Sequence, residues 1–157
     1  MAKKSSTRQV ATTSLPLQGQ VSVVGTRPRV TIGNRDAAVA DLLVTLTGGD
    51  GRTAVPVTFN VSLSVAVAGR ARLTDESTGA VTDSTRSGSA YVFKDVPVGP
   101  ARGRAARRFR ITNIRANATP ISSSSSGPGQ IIAFVALSAP FRLTVSGAQL
   151  AVATMSS

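Results

Sequence analysis

Along residues 54–67, AVPVTFNVSLSVAV, the odd positions are apolar: Val55, Val57, Phe59, Val61, Leu63, Val65 and Val67. Pro56, Thr58, Asn60, Ser62 and Ser64 occupy even positions between them. Successive side chains of a strand point to opposite faces, so this period of two predicts a strand with one apolar and one wetted face. Pro56 has no N–H to donate, which places that end at a sheet edge or at the strand start. Further β-branched segments, bounded by Gly, Pro, Asn, Asp or Ser, predict strands over 20–24, 27–32, 40–47, 70–74, 79–82, 89–94, 107–115, 130–138 and 141–152. No segment carries a 3.6-residue apolar stripe of helical length.

Two of these segments change phase. Phe109 and Ile111 alternate on one parity, and Ile114 and Ala116 on the other. Phe141, Leu143 and Val145 alternate, then Leu150 and Val152 shift around Gly147. A one-residue slip would turn the apolar set to the wrong face, so each shift predicts a bulge or a corner. Ile131 to Leu137 is apolar on both parities, as in a strand covered on both sides. The run is also far too short to span a bilayer as a helix. Gly48-Gly49-Asp50-Gly51 predicts a tight turn, and residues 122–129, SSSSSGPG, an exposed loop.

Many short strands separated by turn signals predict an all-β protein, an antiparallel β-sandwich of immunoglobulin-like or jelly-roll type. Residues 1–18, rich in Ser, Thr and Lys, lack this alternation and are expected as a basic N-terminal arm, with the sandwich over 19–157.

The chain has 157 residues, 41% hydrophobic and 4% aromatic. It contains no His, Cys or Trp. This excludes disulfides, Cys nucleophiles, His bases and the usual zinc sites. Eighteen Lys and Arg against seven Asp and Glu give a net charge of +11. Residues 1–35 and 96–157 hold no acid, so two basic segments flank a centre that carries every carboxylate. Such a field attracts polyanions, nucleic acid among them. The conspicuous cluster is Arg102, Arg104, Arg107, Arg108, Arg110 and Arg115. Arg108 and Arg110 share a parity and should project from one face. With Lys3, Lys4, Arg8, Arg102, Arg104 and Arg107 they form the expected polyanion contact; the plainer alternative is a solvated outer face. The aromatic between Arg108 and Arg110, Phe109, falls on the opposite face, which disfavours base stacking.

Carboxylates and lysines are the remaining catalytic currency, and neither assembles. Asp75 and Glu76 are adjacent and should face opposite ways on a strand. Asp36 and Asp41 suit exposed turns. Lys94 sits beside Asp95, and Lys3 and Lys4 lie in the arm. TGGDGR, residues 47–52, lacks the Lys-Ser/Thr and the helix of a phosphate loop. The expectation is no enzyme, no cofactor, no metal and no catalytic residue.

ADLLVTLTGG (40–49), VPVTFNVSLSVAV (55–67), VFKDVPVGP (92–100) and FRITNIRANA (109–118), followed by QIIAFVALS (130–138), together resemble a group of β-rich surface domains of soil bacteria such as acidobacteria. The resemblance covers roughly residues 37–153 and implies a non-enzymatic surface or extracellular protein. The basic arm and the added Arg before FRITNIRANA depart from that group. No apolar leader-like stretch follows Lys3 and Lys4.

The expectation from the residues is a structural protein that self-assembles, as filament or shell, through sheet edges and its arm. Val10, Leu15, Leu17, Val21 and Val23 would dock onto a neighbouring copy. The alternative is a viral coat protein whose basic residues hold packaged nucleic acid in the virion. A second alternative is a glycan- or host-surface-binding module working through loops 99–108 and 122–129.

Overall fold

The computed structural model describes residues 15–49, 54–99, 106–119, 129–140 and 143–156. Their fifteen strands are β1 (Leu15–Val24), β2 (Arg29–Thr31), β3 (Ala37–Ala38), β4 (Asp41–Gly49), β5 (Val55–Leu63), β6 (Ala66–Ala68), β7 (Arg72–Asp75), β8 (Val81–Asp83), β9 (Thr85–Ser87), β10 (Ala90–Val98), β11 (Arg107–Thr112), β12 (Arg115–Asn117), β13 (Gln130–Ser138), β14 (Leu143–Ser146) and β15 (Gln149–Ser156). The described chain is all-β. Sheet A has the order β14-β1-β4-β11-β7-β8, sheet B the order β2-β15-β13-β5-β10-β9, and a small third sheet the order β3-β12-β6.

Sheets A and B form a sandwich because each turns one parity inward. Sheet A contributes Leu17, Val21, Leu42, Val44, Leu46, Leu73, Phe109 and Ile111 to the core. Sheet B contributes Val57, Phe59, Val61, Leu63, Tyr91, Phe93, Ile131, Ala133 and Val135. Phe59 of β5 meets Phe109 of β11 across the gap, with ring centroids 5.3 Å apart at 52°. Gly19 of β1 lies so close to both layers that a Cβ there would meet Leu137 and Leu46, each at 3.2 Å.

The expected antiparallel sandwich is present, with a modification. β14 runs parallel to β1, and β2 runs parallel to β15. The predicted phase changes are passages between sheets. β14 belongs to sheet A and β15 to sheet B, with Gly147 at φ 71 between them. β11 belongs to sheet A and β12 to the third sheet, with Asn113 at φ 57 between them. A chain that leaves one sheet for another must change parity to keep its apolar side inward.

Three other expectations are corrected. The alternation over 54–67 is not one strand: β5 ends at Leu63, and β6 resumes in the third sheet. β5 is also interior, paired with β10 and β13, so its regular backbone offers no open edge. β10 runs past 94 to Val98 through a bulge at Lys94 and Asp95, where Asp95 has φ 51. The bulge moves the buried set from Tyr91 and Phe93 to Val96 and Val98. Finally, β1 begins at Leu15, inside the segment expected as an arm. Residues 1–14 lie outside the described residues.

Candidate functional site

β11 divides the arginine cluster by parity. Phe109 and Ile111 are buried, and Arg107 shares their side of the strand, so it is buried too, at 7% exposure. Its Nη2 donates to Gly48 O at 3.4 Å, while its Nε has no partner among the described residues. Burial pushes its pKa down, and nearby Asp75 opposes that. Arg107 is therefore no polyanion contact, because its alternation partners carry it into the core side of the sheet. Arg108 and Arg110 do share the outer face, as their spacing predicts. Arg110 is committed to Glu76, its Nε donating to Oε2 at 2.9 Å. Arg108 is exposed and has no ion pair among the described residues. Arg102 and Arg104, like Lys3, Lys4 and Arg8, lie outside the described residues.

The docking segment is also corrected. Leu17 and Val21 are 1% and 3% exposed and fill this chain's own core. Val23 packs against that core. β1 is held between β14 and β4, so its backbone is already paired on both sides. Leu15 pairs with Gly49 through the backbone. Val10 lies outside the described residues.

The acids serve turns and pairs. Asp75 is buried and accepts from the Ser77 N–H at 2.9 Å and the Ser77 hydroxyl at 2.7 Å, closing the β7–β8 turn. Glu76, facing the other way, takes Arg110. Asp36 stands 4.0 Å from Arg115. Asp41 is half-buried, which raises its pKa against the pull of Arg110. Among the described residues no three carboxylates gather into a metal-holding group.

Two features escaped the reading of the residues. One is Tyr91. Its hydroxyl is directed at Ala68 O and at Arg115 O (2.8 Å) and accepts from the Arg115 N–H at 3.0 Å. One side chain of sheet B thus pins both β6 and β12 of the third sheet. Tyr91→Phe should cost about 1–3 kcal/mol, because it strands buried backbone groups. The thermal midpoint should fall by roughly 2–4 °C per kcal/mol. Burial also raises the Tyr91 pKa above 10.0. The folded state then holds this proton more tightly than the unfolded one. Stability should fall as pH rises above about 10, and the Phe variant should lack that part of the slope. An unchanged midpoint and an unchanged alkaline slope would contradict this role.

The other is the outer face of sheet B. The strand over 130–138, expected to be covered on both sides, is bare on one: Phe134 is 41% exposed. Ala136 beside it is also exposed, and Ile132 is half-buried. Cross-strand pairing puts Phe134 beside Gln149 and Ser62, Ala136 beside Asn60, and Asn60 beside Val92. From β15 to β9 this face carries Gln, Ala, Ile, Phe, Ser, Asn, Thr and Val; its charges lie at the margins, Lys94 and Asp95 in the β10 bulge and Arg27 and Arg29 beside β15. The outer face of sheet A instead carries Arg72, Arg108, Arg110, Asp83 and Glu76. Only the pairing order reveals this asymmetry.

No family model matches the chain, and no curated protein matches it. Among solved structures it is similar to a DUF4466 family protein from Parabacteroides merdae ATCC 43184, with 13% identity and a TM-score of 0.48. That match covers 89% of this chain and 44% of the other, so the chain spans less than half of that protein's length.

Proposed function

We propose that this protein is a structural building block without a reaction centre, and that it assembles with copies of itself through the outer face of sheet B. The observation that supports this reading is the patch around Phe134, whose cross-strand neighbours Ser62, Asn60, Gln149 and Val92 carry no charge, on a chain of net charge +11. Net positive charge opposes the close approach of two copies in general, and the centre of this face adds none to it. Small residues beside Phe134 let two sheets approach to about 10 Å, the spacing of packed β-layers. Five strands at about 4.8 Å and six paired residues at about 3.4 Å give a footprint of roughly 500 Å² per copy. Two copies would cover about 1,000 Å², the lower limit of a stable interface. Such a contact is isologous and closes as a dimer, so a surface filament or shell requires a second contact.

Edge-to-edge addition is the weaker route. The edges of both sheets are β14, β8, β2 and β9, of three or four residues each, and short edges resist pairing. Removing residues 1–18 would also take Leu17 out of the core, so that deletion does not isolate an arm. The coat-protein alternative keeps Arg108 as the exposed, uncommitted member of its cluster among the described residues. The glycan-binding alternative rests on loops that lie mostly outside them.

Phe134→Lys tests the proposal. It puts a cation on each of two facing patches and removes their largest apolar side chain. Sedimentation equilibrium should show self-association weakened about a hundredfold, with an unchanged far-UV spectrum. A wild-type chain that stays monomeric at high concentration, or a variant that associates equally well, would overturn it.

A further inference from the structure

The edges of the two large sheets meet where the chain passes from β8 to β9, with Ser84 alone between them. Ser84 is 8% exposed and locked to the start of β7. Its N–H donates to Ala71 O at 3.0 Å, and the Ala71 N–H donates to its Oγ at 3.0 Å. Because Oγ accepts there, the hydroxyl proton remains to be donated elsewhere. The corner opens as a cleft of about 540 Å³ lined by Gly69, Arg70, Ser84, Thr85 and Arg86. The pairing of Arg72 with Asp83, continued through Ala71 and Ser84, brings the 69–71 and 84–86 segments together at this corner.

The cleft is built rather than incidental. The Asn113 side chain donates to Arg70 O at 2.8 Å. The Tyr91 hydroxyl holds Ala68 O just before it. Its charge is one-sided. The acids that border the corner, Asp83 and Asp36, are taken by Arg72 at 3.5 Å and Arg115 at 4.0 Å. Arg70 and Arg86 have no carboxylate within ion-pair distance among the described residues.

We propose that this corner is an anion-binding cleft that takes a phosphate or sulfate group carried on a sugar-sized polar molecule. Two guanidinium forks present donors suited to such an oxyanion, and the Ser84 and Thr85 hydroxyls extend the donor set. The volume is far larger than a bare oxyanion needs, which leaves room for a polar carrier. Among the described residues no aromatic ring lines it, which disfavours a stacked base as the occupant. This inference is independent of the association proposed through the outer face of sheet B.

Amide NMR titration of the full chain at about physiological salt, where a diffuse field is screened beyond roughly 8 Å, tests it. The probes are inorganic phosphate, inorganic sulfate, glucose 6-phosphate and glucose. Glucose 6-phosphate should give saturable shifts at Gly69, Arg70, Ser84, Thr85 and Arg86, and glucose none. Arg86→Ala should weaken binding about tenfold or more. Arg108→Ala, the same charge change on the outer face of sheet A, should leave it unchanged. Absence of saturable shifts, or equal losses in the two variants, would overturn the site. Inorganic phosphate or sulfate binding as tightly as the sugar phosphate would overturn the carried-anion assignment.

Discussion

Phe59→Ala should destabilise the fold by about 3–5 kcal/mol in urea denaturation. Domains of this kind are stable by about 5–15 kcal/mol, so the variant should lie close to its unfolding threshold at ambient temperature. The size of the effect follows from where the ring sits. Phe59 is fully buried on the central strand of sheet B, opposite Phe93 on one side and Leu137 on the other. Its ring packs against Phe109 of sheet A. Truncation therefore opens a cavity between the layers and removes an aromatic pair worth about 0.5–1.5 kcal/mol beyond its area. The surrounding strands are hydrogen-bonded on both sides and cannot close the gap cheaply. A loss below about 1.5 kcal/mol would show that the layers collapse onto the vacancy.

Gly147→Ala should be nearly as damaging, at about 2–5 kcal/mol. A Cβ at this position would stand 2.5 Å from Val21 O, with Val21 N and C at 3.5 Å. These are backbone atoms of a strand paired on both sides, so nothing can rotate away. The residue also has φ +71, a conformation that costs a non-glycine residue about 1–2 kcal/mol by itself. Gly25 separates the two causes. It has φ +76 but no atom within 4 Å of its hypothetical Cβ. Gly25→Ala should cost only the conformational part, so equal losses at the two positions would refute the close-approach argument.

The side-chain alternation carried most of the core. Val57, Phe59, Val61 and Leu63 are buried as their odd positions predict, and so are Phe109 and Ile111. The phase breaks near 113 and at Gly147 were also legible, because a change of parity is written in the order of residues. Their meaning was not. A bulge and a passage to another sheet produce the same slip in the pattern, and the distinction depends on which distant strand accepts the hydrogen bonds. Arg107 departs from the expected cluster for a related reason. Parity groups Arg107 with Phe109, but charge alone suggested a surface position; the structure buries it with its nearer neighbours. Arg70 and Arg86 carried no joint signal, since only the pairing of Arg72 with Asp83 brings their segments together.

The order of the residues thus settled that the chain would be pleated, which side chains would turn inward along each strand, and where the pattern must break. These are local consequences of a backbone whose successive side chains alternate. The fold as a whole settled which strand lies beside which, that the long regular strand β5 is interior, that Leu17 and Val21 complete their own core, and that the centre of one outer face is left without charge. Every strand offers the same row of N–H and C=O groups to any partner. The choice among partners is therefore made by packing both layers of the sandwich at once, and no single segment contains it.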